Sequence, residues 1–454
     1  MSGLTVSRIR IGAGAGYGGD RFEPALELVE KGEINYLVYE CLAERTIALY
    51  QQERLRDASL GYNPQLVRRL SPVLKPCWQR GIKIITNMGA ANPLAAQQRV
   101  LELASAQGIK GLKVAAVIGD EVLEAVIQHG GQILETGETV ADYVNRIISA
   151  NAYLGCAPLV EALIQGADVI LTGRVADPAL FLAPMVHEFN WSEHDYQRLG
   201  QGTVVGHLLE CAGQVSGGYF ADPGHKDVPR LAELGFPLAE VYPDGTAIIT
   251  KPPGSGGLVS LGTCKEQLLY EIHDPAAYYT PDCIADFTGV EFEQLGPSQV
   301  RVTGGTAKAK PRELKVSIGY QDSFIGEGEI GYAGAGALER AKLAGEIVRQ
   351  RLALIGATYQ EIRFDLIGVD SLHGTWIANG TGEPYEVRLR VAARTSTRAE
   401  AQIIGEEVET LWTNGPAGGG GARRSVREVI GVVSTLIPRD LVHPRIIMQQ
   451  VGEG

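Results

Sequence analysis

The sequence predicts an α/β protein: a mainly parallel α/β/α sheet domain over residues 1–270, followed by a smaller α+β domain over residues 271–454. Three observations predict it. Short β-branched runs alternate with helical patterns through the first part, as strand–helix–strand units do. Those runs are continuously apolar, which suits strands covered by helices on both faces. After about Tyr270 the pattern changes to two strands and a long helix, repeated once.

Each element has its own signal. Residues 8–11 form a strand entering the loop GAGAGYGGDR, residues 24–31 a helix, and Tyr36–Tyr39 the second strand. An amphipathic pattern predicts a helix over residues 64–79, leading into the strand KIIT at Lys83–Thr86. A helix over residues 94–107 precedes KVAAVI at Lys113–Ile118, and one over residues 158–165 precedes DVIL at 168–171. His273-Asp274-Pro275 and residues 279–282 have the composition of a domain edge. Beyond them, strands are predicted at 299–302, 314–318, 361–367 and 385–392, with long helices at 337–354 and 399–412.

Bulk properties narrow the class. A chain of 454 residues exceeds one ordinary core, which predicts two domains. Its 45% apolar and 21% charged content is that of a globular protein. No apolar run approaches the ~20 residues a membrane helix needs. The start, MSGLTVSRIRIGAGAG, lacks an apolar signal core, so a cytoplasmic location is expected. The net charge of −12, from 41 basic and 53 acidic residues, opposes general nucleic-acid affinity. It still permits a small anionic substrate, held by local arginines or backbone N–H groups. Six scattered cysteines without a CxxC pair read as reduced thiols, and no metal is expected. A symmetric homo-oligomer is expected for a large cytosolic enzyme.

The 57 glycines gather in short clusters and mark special loops. In the first, Gly14, Gly16, Gly18 and Gly19 follow a strand and precede a helix, which predicts an anion cradle of backbone N–H groups. A tight turn without ligand is the plain alternative. Gly14, Gly16 and Gly19 also satisfy GxGxxG, with Glu40 where a ribose-binding acid would sit, though the following helix is short for a dinucleotide unit.

In parallel sheets, ligands gather at the carboxyl ends of strands. That places Glu40, the TNMGAANP segment and the TGRVADP segment together. Glu40 could move a proton, Asn87 and Asn92 could donate to an oxyanion, and Arg174 could clamp an anionic group beside Asp177. Alternatively Asn92 and Asp177 cap helices and Arg174 pairs with Asp177. If GHLLECAGQ is helical, His207, Glu210 and Cys211 share one face. They could supply an acid/base pair, metal ligands or a thiol nucleophile, or only packing. KPPGSGG at 251–257 reads as a hinge or part of an anion pocket. NGPAGGGGARR, ending in Arg423 and Arg424, reads as a phosphate loop or a helix cap. Lys308, Lys310, Arg312 and Lys315 read as a solvated face, and His225 and His373 show no partner in sequence.

Four segments in order, TNMGAANP, LTGRVADPAL, HLLECAGQVSGGYFADPG and NGPAGGGGARR, resemble the acyclic terpene utilisation protein family (AtuA-type) across nearly the whole chain. The resemblance implies a setting in bacterial degradation of citronellol- or geraniol-like terpenes through CoA thioesters. It implies no redox cofactor and names no reaction. Some members carry a further small C-terminal domain, so the end at Gly454 leaves room for a separately encoded small subunit. The combined expectation is a hydratase/dehydratase, a carbon–oxygen lyase acting on a branched acyl-CoA or small carboxylic acid. Glu40 or Glu210 would serve as acid and base, Asn87 with the loop N–H groups would hold the enolate, and Arg174 would orient the anion. The alternatives are a nucleotide-dependent oxidoreductase and a non-catalytic subunit of an acyl-CoA-processing complex.

Overall fold

A computed structural model describes residues 7–375, 377 and 384–452; residues 1–6 of the expected leaderless start lie outside it. Five strands lie side by side and parallel, in the order Ile9–Ala15, Tyr36–Tyr39, Lys83–Thr86, Val169–Thr172 and Lys113–Ile118. Ala15 pairs with Tyr39 and Tyr39 with Thr86, so the first three strands end level and their following loops open on one edge. All four residues of Tyr36–Tyr39 and of Val169–Thr172 are buried, as their unbroken apolar character requires.

Antiparallel strands extend this centre on both sides. Leu238–Val241 pairs with the first strand, followed outward by Ala247–Thr250, Gln299–Thr303 and Glu291–Gly296. Arg445–Gln450 closes the opposite edge against Lys113–Ile118. The α/β class holds, and the sheet is mixed around a parallel centre.

The expected helix over 64–79 is two pieces, Leu66–Leu70 and Leu74–Arg80. Pro72 lies between them; it has no N–H to donate and its ring crowds the carbonyl four residues back. The helix Tyr196–Glu210 is buried at every position from Leu199 to Glu210. A Cβ on Gly206 would come within 2.7 Å of the Pro178 carbonyl oxygen, so glycine is needed for the helix to lie against the 173–178 loop. That contact carries His207 and Glu210 to the loop edge of the sheet.

The chain divides into two compact units, Met1–Gly319 with Val432–Gly454, and Tyr320–Gly431. Residues 271–319, which follow the change of sequence pattern, group with the first unit. The second unit is α+β. Its strands stand in the order Glu361–Ile367, Glu386–Thr395, Glu313–Ala333 and Gly420–Pro438, the last two shared in chain with the first unit. The helices Ala337–Leu354 and Arg398–Glu409 close its core with Val348, Leu389 and Ile404. Strand–helix–strand–strand–helix–strand in this spatial order is the split βαβ arrangement. The expected glycine loop before Arg423 runs into the strand Gly420–Pro438, on which Arg423 is exposed. Among the described residues, no helix is long and apolar enough to cross a membrane.

Candidate active site

The loop after the first strand is held largely by its own surroundings. A Cβ on Gly14 would meet the Tyr39 ring, and one on Gly16 would lie 2.4 Å from the Cys211 carbonyl carbon. The loop therefore packs directly on the end of the helix Tyr196–Glu210. Gly16 N donates to Asp20 Oδ2 at 3.0 Å. Behind the loop the buried Arg69 donates to the Arg21, Asp20 and Gly18 carbonyl oxygens at 3.0, 3.0 and 3.3 Å. Gly18 neighbours Asn63, and Gly19 the Tyr17 ring.

Glu40 ends the second strand and is nearly buried. Its Oε1 accepts from Leu42 N at 2.9 Å and from Asn87 Nδ2 at 2.8 Å. Asn87 Oδ1 accepts from Cys41 N at 2.7 Å. Asn87 thus ties the Glu40 carboxyl to the Cys41 backbone. Burial and the nearby Asp177 charge push the Glu40 carboxyl well above the carboxylate range, against the pull of its two donors. Asn92 caps the helix Pro93–Ala106 through Ala95 N, at 3.3 Å, and donates to the Ala58 and Leu60 carbonyls.

Arg174 is the buried hub. Its Nη1 donates to Leu42 O and lies 3.1 Å from Asp177 Oδ1. Its Nη2 is 3.4 Å from Glu44 Oε1 and 3.0 Å from Tyr153 Oη, and the guanidinium carbon stands 4.3 Å from the Tyr153 ring centre. Beneath it, Asp120 accepts from Arg174 N at 2.7 Å and from Asn151 Nδ2 at 2.9 Å, and burial raises its carboxyl to about 6.

Two cavities open from this hub, of about 630 and 520 Å³. The larger runs past the glycine loop, Glu40 and Cys211; the smaller runs past Tyr153, His207, Tyr278 and Lys315. Both are lined by Glu44, Arg174, Asp177, Glu210 and Glu271. These sizes suit small-molecule sites.

The charges in the shared wall are unequal. Burial raises Asp177 to about 7; Arg174 pulls it down, while Glu210, Glu44 and Glu271 push it further up. Burial also acts to raise Glu44, but Arg174, the Tyr153 hydroxyl and Lys315 outweigh it and hold Glu44 at about 2. His207 Nδ1 lies 2.7 Å from Glu210 Oε1. Burial alone would lower the imidazole, yet the Glu210 charge and hydrogen bond raise it above its ordinary value. Backbone groups of Leu268 and Gln267 raise the imidazole further, while Glu210 Oε2 and Arg174 Nε are buried without a hydrogen-bond partner among the described residues. Cys211 caps the helix end, and burial followed by the Glu210 charge pushes its thiol up, away from the thiolate that nucleophilic attack requires. Among the described residues, no group of three or more His, Cys, Asp or Glu is placed to hold a metal ion.

The structure therefore brings Glu40, Asn87, Arg174, Asp177, His207, Glu210 and Cys211 together with the glycine loop. Asn92 is a helix cap, and Arg423 is an exposed residue of the second unit. Sequence reasoning missed Glu44, Tyr153 and Glu271, which carry no motif, and gave Lys315 and Arg312 to solvent although both line the smaller cavity. A model of the acyclic terpene utilisation family protein AtuA matches residues 9–448 of the chain. No curated protein and no solved structure matches it.

Proposed function

The chain belongs to the acyclic terpene utilisation family, and from that premise we propose a carbon–oxygen lyase of the hydratase/dehydratase type, acting on a branched acyl-CoA or a related carboxylic acid. One observation carries the reading: Asp177, raised to about 7, shares a cavity wall with the Glu210–His207 pair and the Arg174 cation. A proton carrier, a carboxylate hydrogen-bonded to an imidazole and a cation at one wall are what water elimination needs.

In the dehydration direction, Glu210 takes the proton from the carbon beside the acyl carbonyl. Protonated Asp177 gives its proton to the hydroxyl on the next carbon. The C–O bond breaks, water leaves and a C=C bond forms; hydration is the reverse. His207 orients Glu210 through Nδ1. Arg174, whose Nη groups are occupied, sets the charge of Asp177 and Glu44, and its unpartnered Nε is the donor we assign to the developing enolate oxygen. Glu40, held by Asn87, shapes the larger cavity.

A nucleotide at the glycine loop is less well supported. Gly16 N is already satisfied by Asp20, and Asp20 and Glu44 line the same cavity, which disfavours a pyrophosphate. The test is incubation of purified protein with 3-hydroxyacyl and enoyl substrates, as acids and as CoA thioesters, in deuterated water. Elimination, addition or deuterium at the α-carbon is expected. None of these, with the protein alone or with its genomic neighbour subunit, sinks the reading. A proposed homo-oligomer is checked by sedimentation.

A further inference from the structure

We propose that Arg312 and Lys315 anchor an anionic group, carboxylate or phosphate, on the end of the substrate remote from the reacting carbons. This rests on reading the smaller cavity as the substrate's. Both residues line that cavity. Lys315 is held there: its Nζ stands 5.0 Å from the Tyr153 ring centre and 3.6 Å from Glu44 Oε1, and its carbonyl accepts from Tyr153 N at 2.9 Å. Arg312 is fixed by its backbone, its carbonyl accepting from Arg439 N at 3.1 Å. Its side chain is exposed, and its guanidinium makes no ion pair among the described residues.

The remaining lining tells what such a ligand looks like. Leu134, Leu314, Leu436 and Tyr278 give the cavity an apolar body. The unpartnered Glu210 Oε2, on a buried residue of the same lining, calls for a polar group at another point. Free cation, apolar body and an unsatisfied polar atom together describe an amphipathic acyl molecule with one charged end. Glu313 and Glu271 also line the cavity, so its field is not simply positive. Recognition would depend on the directed fork of Arg312, which matches carboxylate and phosphate geometry.

The test uses the full chain and three probes that share an apolar chain: octanedioate, octanoyl-CoA and the uncharged octanoyl-N-acetylcysteamine. Dissociation constants are measured by calorimetry for the wild type, Arg312→Gln and Arg312→Glu. The substituted residue is exposed, so folding is preserved. An anionic probe should bind the glutamine variant at least about 10-fold more weakly and the glutamate variant more weakly still, with the neutral probe unchanged. Loss confined to octanoyl-CoA identifies a phosphate; loss with octanedioate identifies a carboxylate. Either supports the anchor. Unchanged affinity for every probe in both variants overturns it, as does equal loss for the neutral probe or no binding of either anion to the wild type. The anchor can hold while the lyase assay fails, and dehydration can proceed with an unaltered KM in Arg312→Gln, so the two readings fail separately.

Discussion

Asp177 and Glu44 share one counterion. Asp177 Oδ1 lies 3.1 Å from Arg174 Nη1, and Glu44 Oε1 lies 3.4 Å from Nη2. Yet the first titrates at about 7 and the second at about 2. The difference comes from their other neighbours. Glu44 also accepts from the Tyr153 hydroxyl and faces Lys315, whereas Asp177 faces Glu210, Glu44 and Glu271. One cation thus supports a permanent anion on one side and a neutral-pH proton carrier on the other.

Removing that cation should be costly. Arg174→Ala leaves Asp177 without its counterion and Glu44 with Lys315 alone, and frees the Leu42 carbonyl; with both carboxylates half-buried, the loss should be about 2–4 kcal/mol, below that of a fully buried pair. Urea unfolding at pH 7.5 measures it. A loss below ~1 kcal/mol would mean that water reaches these carboxylates freely.

The strands Tyr36–Tyr39, Lys83–Thr86 and Lys113–Ile118 and the helix Ala337–Leu354 are legible in the sequence, because burial on both faces or a long period imprints them on adjacent residues. The strands Leu238–Val241 and Arg445–Gln450 are not. Their partners, Ile9–Ala15 and Lys113–Ile118, lie hundreds of residues away, and RIIMQQ at a sheet edge has no periodic signature. The site divides the same way. Glu40, Arg174 and Asp177 stand at strand ends, where position alone suggests a role. The proton affinity of Asp177 depends on Glu44, Glu210 and Glu271, which only the fold assembles. The glycine cluster is ambiguous in sequence because close approach to Cys211 and Tyr39 demands glycine as strictly as a ligand would.

That packing account separates two neighbouring glycines. A Cβ at Gly16 meets Cys211 backbone atoms at 2.4 to 2.7 Å, which cannot swing aside, so Gly16→Ala should cost about 1–3 kcal/mol. At Gly18 the nearest atom is the Asn63 side-chain amide at 3.1 Å, and Gly18→Ala should cost about 1 kcal/mol or less. Thermal melts of both variants check the ranking. Equal costs would contradict it.

His207 should report pH through stability. Burial opposes its charge, but Glu210 prevails and the folded value lies above the ordinary 6.5. The imidazolium therefore favours the fold below 6.5, and this contribution is lost as pH rises through the higher folded value. His207→Gln retains a donor for Glu210 without the charge. It should be less stable than wild type by about 1–3 kcal/mol at pH 6, with a smaller gap at pH 9. Denaturant midpoints at both values decide it, and a gap that widens with pH would reverse the assigned sign.

Asp177 should show opposite effects on activity and stability. Asp177→Asn cannot deliver a proton, so turnover should fall by roughly 10²–10⁴. Folding raises this carboxyl from its ordinary 3.8 to about 7, so its contribution to stability is present below 3.8 and is lost as pH rises through 7. The asparagine variant has no such loss. Relative to wild type it should gain thermal stability steadily between pH 4 and pH 8, while the alkaline limb of the wild-type rate profile, falling near 7, is absent from its residual activity. A variant that stays folded, keeps full turnover and shows no pH-dependent stability gain would remove Asp177 from both roles, because the raised proton affinity of that half-buried carboxyl and its use as a proton donor come from the same neighbours.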